Sequence, residues 1–270
     1  MTSRRAAAGS ALLAGVVLLA LLAPWVTADP LAIDLDRRLL PPGPGRWMGT
    51  DELGRDVMSR ISHGARPSIL VASFATMVSL LVGIPVGALA GYARRGIDLA
   101  LARLIDASLA VPSLVLLLLI AALRPAQGAT GSSVPAWVMV GAAVGVVRWG
   151  IIARYMRAEV MRHAAGGLAE AARAAGAGPG RVLARHLVPV GLPPVAVAAA
   201  FGAGSAVMAE ASLSFLGLGV QPPTPTWGQM IASAATRPGD WWMLLFPGAL
   251  VALTVASFHL VGSGLARPAD

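Results

Sequence analysis

Few residues in this 270-residue sequence are of types that do chemistry, and their spacing restricts what they could do. Glu210 and Ser205 lie in one long apolar run, and His259 and Ser263 lie in another. An intramembrane hydrolase would need a serine with a nearby base, or paired aspartates at membrane depth. No G-x-S-x-G elbow and no such aspartate pair occur. His259 lacks a second histidine at metal-ligand spacing, so packing is its expected role. The sequence contains no cysteine, which removes thiolate metal sites and thiol nucleophiles. All 21 basic residues are arginine. A phosphate-binding loop needs its lysine on the β- and γ-phosphates, so the nucleotide-hydrolysing site of that type is excluded. The expectation is a chain that is no enzyme and holds no metal or cofactor. If ATP and Mg power it, they sit on another polypeptide.

The elements around these residues are apolar. The sequence is 56% hydrophobic and 13% charged, with a mean hydropathy of +0.72, far from the roughly one-quarter charged content of soluble domains. Six stretches meet the roughly 20-residue length of a membrane helix, namely Ala8 to Val26, Ser68 to Ala93, Leu99 to Leu123, Val134 to Ala153, Gly191 to Leu218 and Trp241 to Leu265. None shows the alternation of a barrel strand. The first also fits a cleavable signal, with "VTA" after an apolar run, but its length, Pro24 and Trp25 favour a retained span. Placing Arg4 and Arg5 in the cytoplasm puts thirteen arginines on that side, among them Arg94, Arg95, Arg103, Arg148, Arg154, Arg157 and Arg267. The other eight face outward with seven acidic residues nearby. Both termini are then cytoplasmic.

Within the spans, Gly83, Gly87 and Gly91, and again Gly141 and Gly145, recur at four-residue spacing, which suits close helix packing. Pro85, Pro112, Pro193 and Pro194 are expected to interrupt helices. Asp106 is expected to pair with Arg103 one turn back, and Arg148 to snorkel to the inner interface. Glu210 either lines a path, with Ser205 and Met208 on the wall, or braces an outer gate by hydrogen bonds.

Between the fourth and fifth spans the chain turns polar. "LAEAARAA", Leu168 to Ala175, reads as a short helix, "GAGPG" as a turn, and "RVLARHLV" as a second helix ended by Pro189. Upstream, "GTDELGRDVMSRISHGAR" reads as an amphipathic helix on the outer surface, capped by Thr50 or Asp51, with Leu53, Val57, Ile61 and Ala65 on one face. "ASLSFLGLGVQPPTPTWGQMI", Ala211 to Ile231, follows the fifth span. There Pro222, Pro223 and Pro225 stiffen an external loop, while Trp227, Trp241 and Trp242 suit the membrane interface.

Those three stretches, in that order, resemble the permease subunits of type I ABC importers of the dipeptide, oligopeptide and nickel branch. Glu170, Ala171, Ala172, Gly176, His186 and Pro189 are similar to that family's EAA loop, although Val190 stands where the branch usually has asparagine. The resemblance implies an all-α fold of six transmembrane helices in a bacterial or archaeal inner membrane. Residues 1–67 would form an N-terminal span plus an extracytoplasmic segment, and residues 68–270 a five-helix core with a cytoplasmic coupling loop at about 155–190. It implies a homologous second permease, two cytoplasmic ATPase subunits and an extracytoplasmic binding protein as partners, besides membrane lipid, with no nucleic acid. It further implies ATPase coupling at the EAA residues and, for the outer loop, docking of the binding protein at Gln221, Pro222, Pro223 and Trp227. The transported solute would be a peptide, or alternatively nickel. A transporter driven by an ion gradient is a rival, but inverted repeats are not evident and the polar insert would be unexplained.

Overall fold

The computed structural model describes residues 2–93, 95–122 and 134–266. Its long helices are α1 (Thr2–Val26), α2 (Val57–Tyr92), α5 (Ala136–Ala164), α8 (Val188–Phe215) and α10 (Trp241–Leu265). The shorter ones are α3 (Arg95–Ala110), α4 (Ser113–Ala122), α6 (Gly167–Ala174), α7 (Pro179–Val182) and α9 (Trp227–Ala235). A one-turn π-helix, Leu183–Leu187, joins α7 to α8. Among the described residues there is no β-strand. Five helices are long and apolar enough to cross a membrane, and six if α3 and α4 together make one span.

The centre of the bundle is the parallel pair α2 and α5. It forms because glycines occupy the contact line on both helices. Gly141 and Gly145 lie against Phe74 and Val78 of α2, while Gly83, Gly87 and Gly91 lie against Ile152, Ala153 and Val160 of α5. A methyl group on Gly87 would come within 2.3 Å of the Ala153 carbonyl oxygen, so the backbones touch there. Helix α8 runs antiparallel to both, with Gly191 against Met156 at one end and Ser68 bonded to Glu210 at the other. Helices α1 and α10 form a second antiparallel pair, with Gly9 against Leu260 and Gly264 against Ala6, so the described parts of the two chain ends share one end of the bundle.

Three elements differ from the pattern in the sequence. Helix α2 is a single rod of 36 residues, about 54 Å long, where an interfacial helix followed by a separate span is predicted. Its first turns are buried, with Val57, Ile61 and Ala65 at 0–1% exposure, and its cap is Asp56, whose side chain accepts from the Ser59 amide. Of the four prolines predicted to interrupt helices, only Pro112 does so. There α3 and α4 bend by 81°, whereas Pro85, Pro193 and Pro194 lie inside continuous helices. Pro189 likewise opens α8 and does not close a helix. A proline cannot donate a hydrogen bond and crowds the carbonyl four residues back. The preceding turn widens, so that the Val188 amide bonds the Leu183 carbonyl. Arg94, Arg267 and the predicted end of the third span at Leu123 lie outside the described residues.

Candidate functional site

Two candidate surfaces lie at opposite ends of the bundle, and a third region lies between them. At the end where the α5 C-terminus meets the α8 N-terminus, α6 turns the chain back. Ala169 and Ala172 face inward and pack with Val160, Val182 and Leu187, while Glu170, Ala171, Arg173 and Ala174 are exposed. Helix α6 is closed by a glycine motif. The Gly176 amide bonds the Arg173 carbonyl (2.9 Å) and the Ala177 amide bonds the Ala172 carbonyl (3.0 Å), with Gly176 at φ +82°. Only glycine takes that left-handed position at low cost, which is why the turn follows directly on "EAARAA". His186 is half-buried in the π-turn and Pro189 is exposed at the head of α8. Glu170, Ala171 and Gly176 therefore form one protruding tip, whereas His186 and Pro189 lie on the rod that leads from that tip into α8.

At the opposite end the chain between α1 and α2 folds over the bundle and is tied by Asp51, which is 3% exposed. Its Oδ1 accepts from the Leu53 and Arg55 amides (both 2.9 Å), and its Oδ2 from Arg55 Nε (2.7 Å) and from Arg60 Nη1. Trp242 Nε1 donates to the Thr50 carbonyl (3.1 Å), and Trp227 Nε1 to the Ile61 carbonyl (3.0 Å). Sequence reasoning assigned Arg55 and Arg60 to the faces of a surface helix. The missed signal was Asp51 four and nine residues upstream of them. Trp227 is fully buried and Trp242 nearly so, which corrects the reading of both as interface residues and of Trp227 as docking surface. Trp241 is exposed, in keeping with an interface position. Pro222 and Pro223 are exposed, and Gln221 is held by its side-chain bond to the Gly217 carbonyl (2.8 Å). These three line an open groove of about 580 Å³ together with Glu52, Arg55 and Arg60.

Between the two ends, Glu210 is completely buried and accepts from Ser68 Oγ (2.8 Å) on α2 and Ser214 Oγ (2.7 Å) on its own helix. It thereby ties α8 to α2. Ser205 bonds the Phe201 carbonyl (3.1 Å), and Met208 is exposed on a different face of α8. The structure does not bring Ser205, Met208 and Glu210 together into one wall. Asp106 pairs with Arg154 of α5 (2.8 Å), not with Arg103, and Asp98 pairs with Arg157 (2.8 Å), so α3 is fastened to α5 by two ion pairs. Arg148 faces a small cavity enclosed by α2, α5 and α8.

Residues 83–267 match the family described as binding-protein-dependent transport system inner membrane component. A dipeptide transport system permease protein of Alkalihalophilus pseudofirmus is 35% identical over 99% of this chain and 86% of its own length. A di/tripeptide transport system permease protein of Pseudomonas aeruginosa is 38% identical over 94% of this chain and 84% of its own. Among solved structures, an inward-facing MetNI methionine ABC transporter superposes with a TM-score of 0.63 at 19% identity, covering 77% of this chain and 97% of that one. An amino acid ABC transporter solved with histidines gives 0.54 at 18%, covering 74% and 89%.

Proposed function

The chain belongs to the family of binding-protein-dependent transport system inner membrane components, and from that premise we propose that it is one permease subunit of an ATP-driven importer of short peptides. A second, homologous permease would complete the path, two ATPase subunits would bind at the α6 tip, and a solute-binding protein would dock at the opposite end. The α6 end would then be cytoplasmic, as arginine placement suggests.

The observation that carries this reading is the form of the α6 tip. A short helix exposes Glu170 and Ala171 at the protruding end of the bundle, and the chain returns through α7, the π-turn and α8 with no non-helical break. Small exposed side chains let a helix lie deep in a partner's groove. A continuous rod then transmits displacement of that tip into the membrane as rigid-body motion. ATP binding would draw the two tips together and open the path outward, and hydrolysis would reset it, which is alternating access. Asp98, Asp106, Arg154 and Arg157 would make α3 move with α5. Glu210, bound to α2 and α8, would be a brace and not a substrate ligand. Gln221, Pro222 and Pro223 would contact the binding protein, and Trp227 would support them from beneath. Nickel or another small solute is the alternative cargo, and the printed names of the relatives favour peptides.

The test is co-purification from native membranes with a tag on this chain. Wild type is expected to bring down nucleotide-binding subunits with ATPase activity, and Gly176→Asp and Glu170→Lys to lose or uncouple it. Recovery of the wild type without an ATPase, together with normal transport by the two variants, would refute the coupling role.

A further inference from the structure

Arg148 is a cation at membrane depth with no counter-charge within the described part of its own chain. It lies twelve residues into α5, about 18 Å along the helix axis from Ala136. Its neighbours toward the α5 C-terminus, Arg154, Arg157 and Arg162, are paired with Asp106, Asp98 and Glu159. Arg148 makes no ion pair or hydrogen bond to any described residue, and it is half-buried. An unpaired charge in such a place is costly, and intramembrane ionisable side chains are kept where they serve a pathway.

The surroundings narrow the kind of partner. Thr76 and Ser79 of α2, Ile152 of α5, and Ala199, Gly202 and Ala206 of α8 line the cavity with Arg148. Ala75, Ser79, Ile152 and Ala206 in this wall are 1–6% exposed, so the guanidinium points into the bundle and away from lipid headgroups. Thr76 also borders a larger groove of about 460 Å³, whose walls include Met77, Leu80, Ala203 and Phe258 and are almost wholly apolar. A planar cation beside an apolar groove is the pattern of a small-molecule site that fixes one charged group and tolerates variation elsewhere.

We propose that Arg148 is a carboxylate-binding group of the translocation path, taking the free C-terminal carboxylate of a peptide while its side chain lies in the adjoining apolar groove. The guanidinium fork matches a carboxylate through two parallel N–H···O bonds. Every unmodified peptide carries that group whatever its side chains, so a single arginine suits a path that accepts many sequences. The space beside Arg148 is only about 20 Å³, so the carboxylate enters as α2, α5 and α8 part. This inference rests on the importer reading above.

The test uses the whole transporter, with its second permease, ATPases and binding protein, in proteoliposomes containing wild type, Arg148→Lys or Arg148→Gln. ATP-dependent uptake is measured for alanyl-alanine and for its C-terminal amide, along with ATPase stimulation by the binding protein. The same binding protein serves every arm, so its own preference cancels in the acid-to-amide ratio. Arg148→Gln is expected to lower alanyl-alanine uptake about ten-fold, equivalent to about 1.4 kcal/mol, while leaving amide uptake and ATPase stimulation unchanged. Arg148→Lys is expected to retain most of the uptake. Unchanged acid uptake in Arg148→Gln would overturn the proposal, and so would an equal fall for acid, amide and ATPase, the signature of a lipid anchor or a charge pair with the second permease. A wild-type complex that takes up neither peptide would refute the importer reading itself and remove the proposal's basis.

Discussion

Replacing Asp51 with asparagine changes only one atom's chemistry, and the structure says which contacts that atom serves. Oδ1 can remain the acceptor for the Leu53 and Arg55 amides, but Oδ2 becomes an NH2 group facing Arg55 Nε and Arg60 Nη1, donor against donor. Arg60, only 8% exposed, is left with a buried charge and no direct acceptor for that nitrogen. Removing one member of a buried ion pair costs about 3–5 kcal/mol. The lower end applies, because Glu52 holds Arg55 at 3.3 Å and offsets part of the excess charge. At about 2–4 °C per kcal/mol for a chain of this size, the unfolding midpoint should fall by about 6–12 °C. Tryptophan fluorescence reports on this directly, because Trp242 donates to the Thr50 carbonyl beside the site. Adding Arg60→Met removes the stranded charge, so the double variant should be more stable than Asp51→Asn alone. A fall of less than about 2 °C, or strictly additive single effects, would refute the view that Asp51 and Arg60 act as a buried pair.

Gly87→Leu should prevent assembly of the bundle, because even a methyl group there would lie 2.3 Å from the Ala153 carbonyl oxygen; a monodisperse wild-type-like elution profile in detergent would contradict this. Trp227→Phe keeps the buried ring but strands the Ile61 carbonyl, and the loss expected for a stranded buried acceptor is about 1–3 kcal/mol in thermal unfolding. Glu210→Ala leaves the Ser68 and Ser214 hydroxyls without their acceptor and should destabilise by a similar amount, whereas Glu210→Gln, which still accepts, should lose less; the order is read by the same unfolding assay. Gly176→Ala forces a side chain into a φ of +82° at a cost of about 1–2 kcal/mol, and should impair ATPase coupling while the unfolding midpoint moves by only a few degrees.

The spans were legible because hydropathy over 20 residues is a bulk property that packing cannot reverse, and the α6 turn because Gly176 is the residue its geometry demands. What escaped were features decided by one partner far away. Arg55 and Arg60 read as solvent-facing charges, but Asp51 neutralises them and lets α2 begin inside the folded end, so one helix forms where two were expected. Trp227 read as an interface residue because its indole N–H is polar, yet the Ile61 carbonyl satisfies it in the interior. Asp106 read as a local ion pair, but Arg154 reaches it from α5 instead. Arg148 read as snorkelling because nothing in sequence marks that Ala199, Gly202 and Ala206 of another helix enclose it. Pro112, Pro85 and Pro193 look alike in sequence, and only the packing around them decides which one bends the chain.

The 81° bend between α3 and α4 also constrains how the protein is made. Helix α4 has ten residues, about 15 Å of rise, which is half of a hydrocarbon core. Helix α3 is longer but carries Asp98, Arg103 and Asp106. Neither piece can settle in lipid as an independent span, and the peptide groups at the bend need protein around them. Leu117 of α4 finds its cover against a core that includes Val140 and Val144 of α5, a helix synthesised later. Membrane integration at this point must therefore wait for a downstream segment, so α3, α4 and α5 leave the insertion machinery as one cooperative unit and not helix by helix.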